Sequence, residues 1–148
     1  MSLPDYIKPP LEEWLNMFHF FSTVKVRVCE TDHFGHVNNT SYFPYFEQGR
    51  VDYLEEVNLY ESDLSVMVGD AYCRYHRQAL ARQELSIGVR TARIGSKSFT
   101  LEYAIQRSND KELISSGWTT MILIDKHTKK SVMVPEELRT AIDELDHR

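Results

Sequence analysis

One amphipathic stretch followed by four alternating runs constrains this chain more than any other feature. Tyr42, Phe46, Gly49, Tyr53 and Val57 recur at steps of four, three, four and four, with Phe43 and Leu54 widening the apolar stripe. Glu47, Arg50, Asp52, Glu55 and Glu56 supply much of the remaining surface, which is the pattern of a helix with one buried face. Pro44 is tolerated only in a first helical turn, so the helix must begin just before it, with Asn39, Thr40 or Ser41 as the cap. Gly49 on the buried stripe is costly for a helix, and its presence predicts a close approach to a sheet at that point.

The four runs read as strands. Residues 65–76 form a long strand of imperfect alternation. Over 84–94, Leu85, Ile87 and Val89 share a face, as do Phe99, Leu101, Tyr103 and Ile105 in the next run. Gly95, Ser96 and Lys97 suit a hairpin between these two. The last strand covers 113–124, and its small residues Ser115, Ser116 and Gly117 predict a bulge or a close approach to another backbone. Ahead of the helix, Phe20, Val24, Val26 and Val28 alternate with Lys25 and Arg27 as a half-buried strand. Pro135 opens a terminal helix carrying Leu138, Ile142 and Leu145. Consecutive strands joined by short turns imply an antiparallel sheet, with the long helix as cover for its apolar face.

A length of 148 residues fits a single domain spanning 1–148: a lead-in over 1–18, a core over 20–125 and a C-terminal helix over 135–148. Pro4, Pro9 and Pro10 punctuate the lead-in, and Leu11, Trp14, Leu15 and Phe18 recur at helical spacing. The formal net charge of −5 argues against a general nucleic-acid binder. No apolar run is long enough to span a bilayer. Two cysteines, Cys29 and Cys73, make neither a disulfide scaffold nor a zinc pattern, so a reduced, cytoplasmic setting is expected.

The chemistry concentrates between the first strand and the helix, in Asp32-His33-Phe34-Gly35-His36-Val37-Asn38-Asn39. A carboxylate here faces a helix N-terminus. The carboxylate suits a base or nucleophile, and the unpaired N–H groups suit an oxyanion. Read alone, Asp32 is better taken as an ordinary turn residue bonding nearby backbone, and only the block around it favours the catalytic role. His33 and His36 lack a clear third ligand, so no metal is expected.

This block, with Val26-Arg27 before it and Tyr42, Tyr45-Phe46-Glu47, Arg50 and Asp52-Tyr53-Leu54 after it, resembles the hotdog-fold acyl-CoA thioesterases, specifically the 4-hydroxybenzoyl-CoA thioesterase-like branch. The resemblance covers roughly residues 20–125. It implies an α+β hotdog fold, a curved antiparallel five-stranded sheet wrapped around one long central helix. It further implies hydrolysis of an acyl-CoA to free acid and CoA, or of the corresponding carrier-protein thioester. Asp32 matches the catalytic carboxylate, and the Asn39 N–H the oxyanion donor. Gly35, His36, Asn38, Tyr42 and Glu47 are expected around the substrate, Glu47 doubling as a structural partner for an arginine. Arg93, Lys97 and Ser98 match a stretch that often holds coenzyme A, which enters as substrate and not as a resident cofactor. The family works as homodimers or homotetramers with active sites at subunit interfaces. The link Gln78-Ala79-Leu80-Ala81-Arg82-Gln83 departs from the family's usual Pro and Gly-Asp, which leaves the acyl group unassigned. Two other activities fit the same frame: a hotdog enoyl-CoA hydratase or dehydratase using His36 with Asp32 or Glu47, and a non-catalytic acyl-CoA-binding protein.

Overall fold

In the computed structural model, residues 2–8 and 10–148 are described; Met1 and Pro9 of the expected lead-in lie outside them. Three helices, α1 (Leu11–Leu15), α2 (Tyr42–Glu56) and α3 (Glu136–Asp146), accompany five strands. The strands are β1 (Phe20–Lys25), β2 (Leu64–Tyr75), β3 (Glu84–Ile94), β4 (Ser98–Arg107) and β5 (Leu113–Asp125). They form one antiparallel sheet in the order β1-β3-β4-β5-β2, so β1 and β2 are its edges. This is the hotdog architecture, with α2 laid against the inner face.

The helical stripe does what its spacing predicts. Tyr42, Phe46, Gly49, Tyr53, Leu54 and Val57 are all buried, against Leu85, Ile87, Val89, Leu101 and Tyr103 of the sheet. At Gly49 a Cβ would lie 2.7 Å from the Ile87 Cγ2, so the missing side chain sets the helix-to-sheet distance. Two expectations need correction, and a third needs refining. Phe43 points outward and is substantially exposed. The N-cap of α2 is Ser41, one of the three expected positions, but its side chain makes no capping bond. The bond that is made belongs to the 3-10 turn Asn39–Ser41 just ahead of α2, where the Asn38 Oδ1 accepts the Thr40 N–H at 3.3 Å. The first strand ends at Lys25, and Val28 is exposed. There the chain turns through Val28–Glu30, with the Glu30 carboxylate accepting the Arg27 N–H at 2.8 Å.

The outer face is also covered, by the lead-in. Ile7, Trp14 and Phe18 form a second apolar cluster with Ala104 and Leu113. Trp14 is fully buried and its indole N–H donates to the Glu102 carboxylate at 3.1 Å. Arg90 grips the same carboxylate oxygen at 2.9 Å. A buried carboxylate is tolerated only with such partners. Glu102→Gln keeps the shape but leaves Arg90 without its counter-charge. We expect a loss of about 2 kcal/mol in denaturant unfolding, below the full cost of breaking a buried pair because Arg90 retains some solvent contact. No loss would mean that water alone satisfies Arg90.

Candidate active site

Asp32 sits in a tight turn built by its own neighbours. Its Oδ1 accepts the Phe34 N–H at 2.8 Å and the His36 N–H at 3.1 Å. Its backbone N–H donates to the His36 carbonyl at 2.7 Å, and Gly35 closes the turn at φ 81°. Oδ2 receives no hydrogen bond from the described residues, so one oxygen is held and the other is open. The ring of Phe34 stands at the tip in solvent.

The turn is tied to the start of α2. Glu30 is the knot: its carbonyl accepts the Asn38 N–H at 2.8 Å and the Ser41 hydroxyl at 3.0 Å, and its carboxylate accepts the Tyr45 hydroxyl at 3.1 Å. Asn39 opens the helical turn, so its N–H has no intrahelical acceptor. The carbonyl of the same peptide, that of Asn38, accepts the Ser41 N–H at 2.8 Å, which polarises the group further.

Asp32, Asn39 and Tyr42 line one cleft of about 490 Å³, with Val37 and the wall formed by Tyr75, His76, Arg77 and Gln78. Gly35, His36 and Asn38, expected around the substrate, are not among the lining residues: Gly35 and His36 close the Asp32 turn, and the Asn38 side chain accepts the Thr40 N–H. Burial pushes the Tyr42 phenol up to about 12, so it stays protonated at neutral pH. Burial, and then Arg74 and Arg77, hold His76 below the ordinary histidine range.

Four expected site residues lie elsewhere. Glu47 does not line the cleft; it is exposed and pairs with Arg50 at 3.5 Å. Arg93, Lys97 and Ser98 lie at the far end of the sheet. The registers explain the separation: Lys25, just before the Asp32 turn, pairs with Glu84 at the start of β3, whereas Arg93 is near its end. Arg93 instead lines a hollow of about 430 Å³ against α3. Tyr75 and His76, conversely, are wall residues that the apolar pattern marks only as sheet packing.

The fold and this site define a class, and the comparisons agree: residues 26–142 match the Thioesterase-like superfamily, and the chain belongs to that family. It is 38% identical over 139 residues, 93% of its own length and 94% of the other's, to the uncharacterized protein YsmA of Bacillus subtilis (strain 168). It is 25% identical to the long-chain acyl-CoA thioesterase FadM of Escherichia coli (strain K12), over 82% of this chain and 96% of FadM. Among solved structures, a Thermus thermophilus thioesterase complexed with coenzyme A and Zn superposes with a TM-score of 0.77 at 27% identity, covering 88% of this chain and 97% of that one. No helix among the described residues is long and apolar enough to cross a membrane.

Proposed function

We propose that this protein is a cytoplasmic thioesterase that hydrolyses an acyl-CoA to free acid and CoA. The observation that carries the reading is the single cleft lined by both Asp32, which keeps one carboxylate oxygen unbonded, and Asn39, whose N–H has no partner among the described residues. A thioester carbonyl held there directs its oxygen at the N–H and the positive end of α2, while Asp32 attacks the carbonyl carbon or deprotonates a water that does. Attack by water breaks the C–S bond and releases the acid and CoA thiolate directly. Attack by Asp32 expels the same thiolate and leaves a mixed anhydride, which water then hydrolyses to the acid and free Asp32. In both routes thiolate is a leaving group that needs little acid assistance. The likeness to FadM and to a CoA-bound thioesterase supports CoA as the thiol.

The working unit in this reading is a homo-oligomer built on a dimer of β2 edges. Met67, Val68, Gly69, Asp70 and Ala71 are exposed along that edge. Antiparallel pairing of two β2 strands about a two-fold axis would bring the partner's β3–β4 end beside the cleft. Its Lys97 and Ser98, at the start of β4, would then stand about three strand spacings away, roughly 14 Å, and its Arg93, on β3, about four, roughly 19 Å, within reach of the phosphates of a bound CoA. Carrying Met67→Lys and Val68→Lys together, the protein is expected to sediment as a monomer, with thiol release falling in step with the dimer fraction. A monomeric double variant with full activity would refute the shared site.

The test of the activity is thiol release from short, medium, long and aromatic acyl-CoAs, with crotonyl-CoA followed in parallel for loss of enoyl absorbance. Thiol release supports hydrolysis and names the acyl class. Hydration without thiol release would make the protein a hydratase. Tight binding without either reaction would make it a binding protein.

A further inference from the structure

Tyr75 and His76 are adjacent, and strand alternation sends their side chains to opposite faces of the sheet. Tyr75 turns inward, its ring 5.4 Å from that of Tyr42, and its hydroxyl donates to the Asn39 carbonyl at 3.1 Å. Asn39 is therefore held on both sides, by Ser41 N–H on the preceding carbonyl and by Tyr75 on its own. His76 turns outward, and its Nε2 lies 2.7 Å from the hydroxyl of Ser116, a fully buried residue of β5. That hydroxyl is in turn 2.6 Å from the Tyr6 hydroxyl of the lead-in. Tyr6 is itself fixed edge-on against Tyr72 at 5.8 Å, and Trp14 packs beside it at 6.1 Å.

We propose that the N-terminal segment is a working part of the active site: through Tyr6, Ser116 and His76 it fixes the end of β2, from which Tyr75 acts as the positioning residue for Asn39, through that residue's own carbonyl. Several observations converge on this. His76 and Arg77 line both the proposed catalytic cleft and a smaller hollow of about 260 Å³ lined also by Ser2, Leu3 and Leu11, so together they form the partition between lead-in and site. The backbone N–H groups of His76 and Arg77 both donate to the Ile114 carbonyl, at 2.8 and 3.1 Å, which anchors the chain to β5 just past the end of β2, within the wall of the cleft. Arg74 reaches the Ser2 carbonyl at 3.3 Å, a second tie between the same strand end and the lead-in. An oxyanion donor gains its catalytic value from being aimed in advance, so a bond that fixes the Asn39–Thr40 peptide, on the other side of the Asn39 Cα from the donor N–H, restrains how that residue turns and contributes to rate more than to substrate affinity.

This inference rests on the thioesterase reading for its kinetic arm but not for its structural one. Three variants test it: Tyr75→Phe, Ser116→Ala and Tyr6→Phe, each compared with wild type in melting temperature, in amide exchange of Thr40 and Ser41, and in kcat and KM for thiol release. Tyr75→Phe is expected to lower kcat about fivefold, the worth of one neutral hydrogen bond, with KM nearly unchanged, and to speed exchange at Thr40 and Ser41 by a similar factor. Ser116→Ala and Tyr6→Phe should move the same quantities in the same direction by less. Wild-type exchange and kcat in Tyr75→Phe would overturn the positioning role. Lowered melting temperature in Ser116→Ala and Tyr6→Phe, with Thr40 and Ser41 exchange unmoved, would reduce the lead-in to a passive cover and overturn the link. If wild type hydrolyses no thioester, the proposed function fails, and the exchange arm still decides the connection between lead-in and Asn39.

Discussion

Asp32→Asn is expected to lower kcat for thiol release by about 100-fold or more while leaving the melting temperature nearly where it was. The two halves of that expectation have separate causes. The amide oxygen of asparagine can still accept the Phe34 and His36 N–H groups that Asp32 Oδ1 accepts at 2.8 and 3.1 Å, so the turn keeps its shape. The side chain stands at the wall of an open cleft, so little packing is at stake. What disappears is the anionic Oδ2, and an amide nitrogen can neither attack a carbonyl nor remove a proton from water. Asp32→Ala should add a stability loss of about 1 kcal/mol, because two turn amides then lose their acceptor. Equal rates in wild type and Asp32→Asn would remove this carboxylate from the chemistry. Glu47, the other carboxylate singled out, would then have to act from outside the cleft, on the Arg50 side of α2.

The second large effect concerns stability. Gly117→Ala is expected to cost about 3 kcal/mol, seen as a melting temperature lower by roughly 10 °C. A Cβ at this position would overlap the Tyr72 carbonyl oxygen of the neighbouring strand and stand 2.7 Å from the Phe46 ring. Neither neighbour can yield cheaply. The carbonyl belongs to the β2–β5 ladder, where Gly117 faces Cys73, and the Phe46 ring is stacked on Tyr103 at 4.6 Å. The sign makes the test sharp, since replacing glycine by alanine within a strand ordinarily stabilises it by lowering the entropy of the unfolded chain. A neutral or stabilised Gly117→Ala would show that β2 and β5 can part locally without cost.

The sequence makes legible whatever depends on neighbours a few residues apart. Leu85, Ile87 and Val89 announce a strand, and Gly49 and the Ser115–Gly117 run announce close contacts that the structure contains. The Asp32 block and the stripe beginning at Tyr42 together put a carboxylate beside a helix start. Contacts across the fold are not legible in the same way. Nothing in the spacing of Arg93, Lys97 and Ser98 reveals that an antiparallel β1–β3 pair carries them away from Asp32. Nor does the helical spacing of Trp14 and Phe18 say which face of which sheet they cover. That the capping side chain is the one ahead of the 3-10 turn, Asn38, while Ser41 caps α2 without a side-chain bond, is a finer matter: a short 3-10 turn is close enough in energy to a helical one that local patterns do not separate them.

The strand order has a consequence for how the chain reaches this state. Only β3–β4 and β4–β5 join neighbours in sequence, whereas β2 waits for β5 and β1 is separated from β3 by the whole of α2. The three-stranded meander is therefore the part that can assemble with the least loop closure, and the two edges must be recruited onto it. Trp14 finds Glu102 across 88 positions. During synthesis it leaves the ribosome long before its partner and stays unsatisfied until most of the chain has emerged. The indole that seals the outer face thus reports on a late event, and a stopped-flow trace of its fluorescence in a Trp118→Phe background should lag behind formation of the meander.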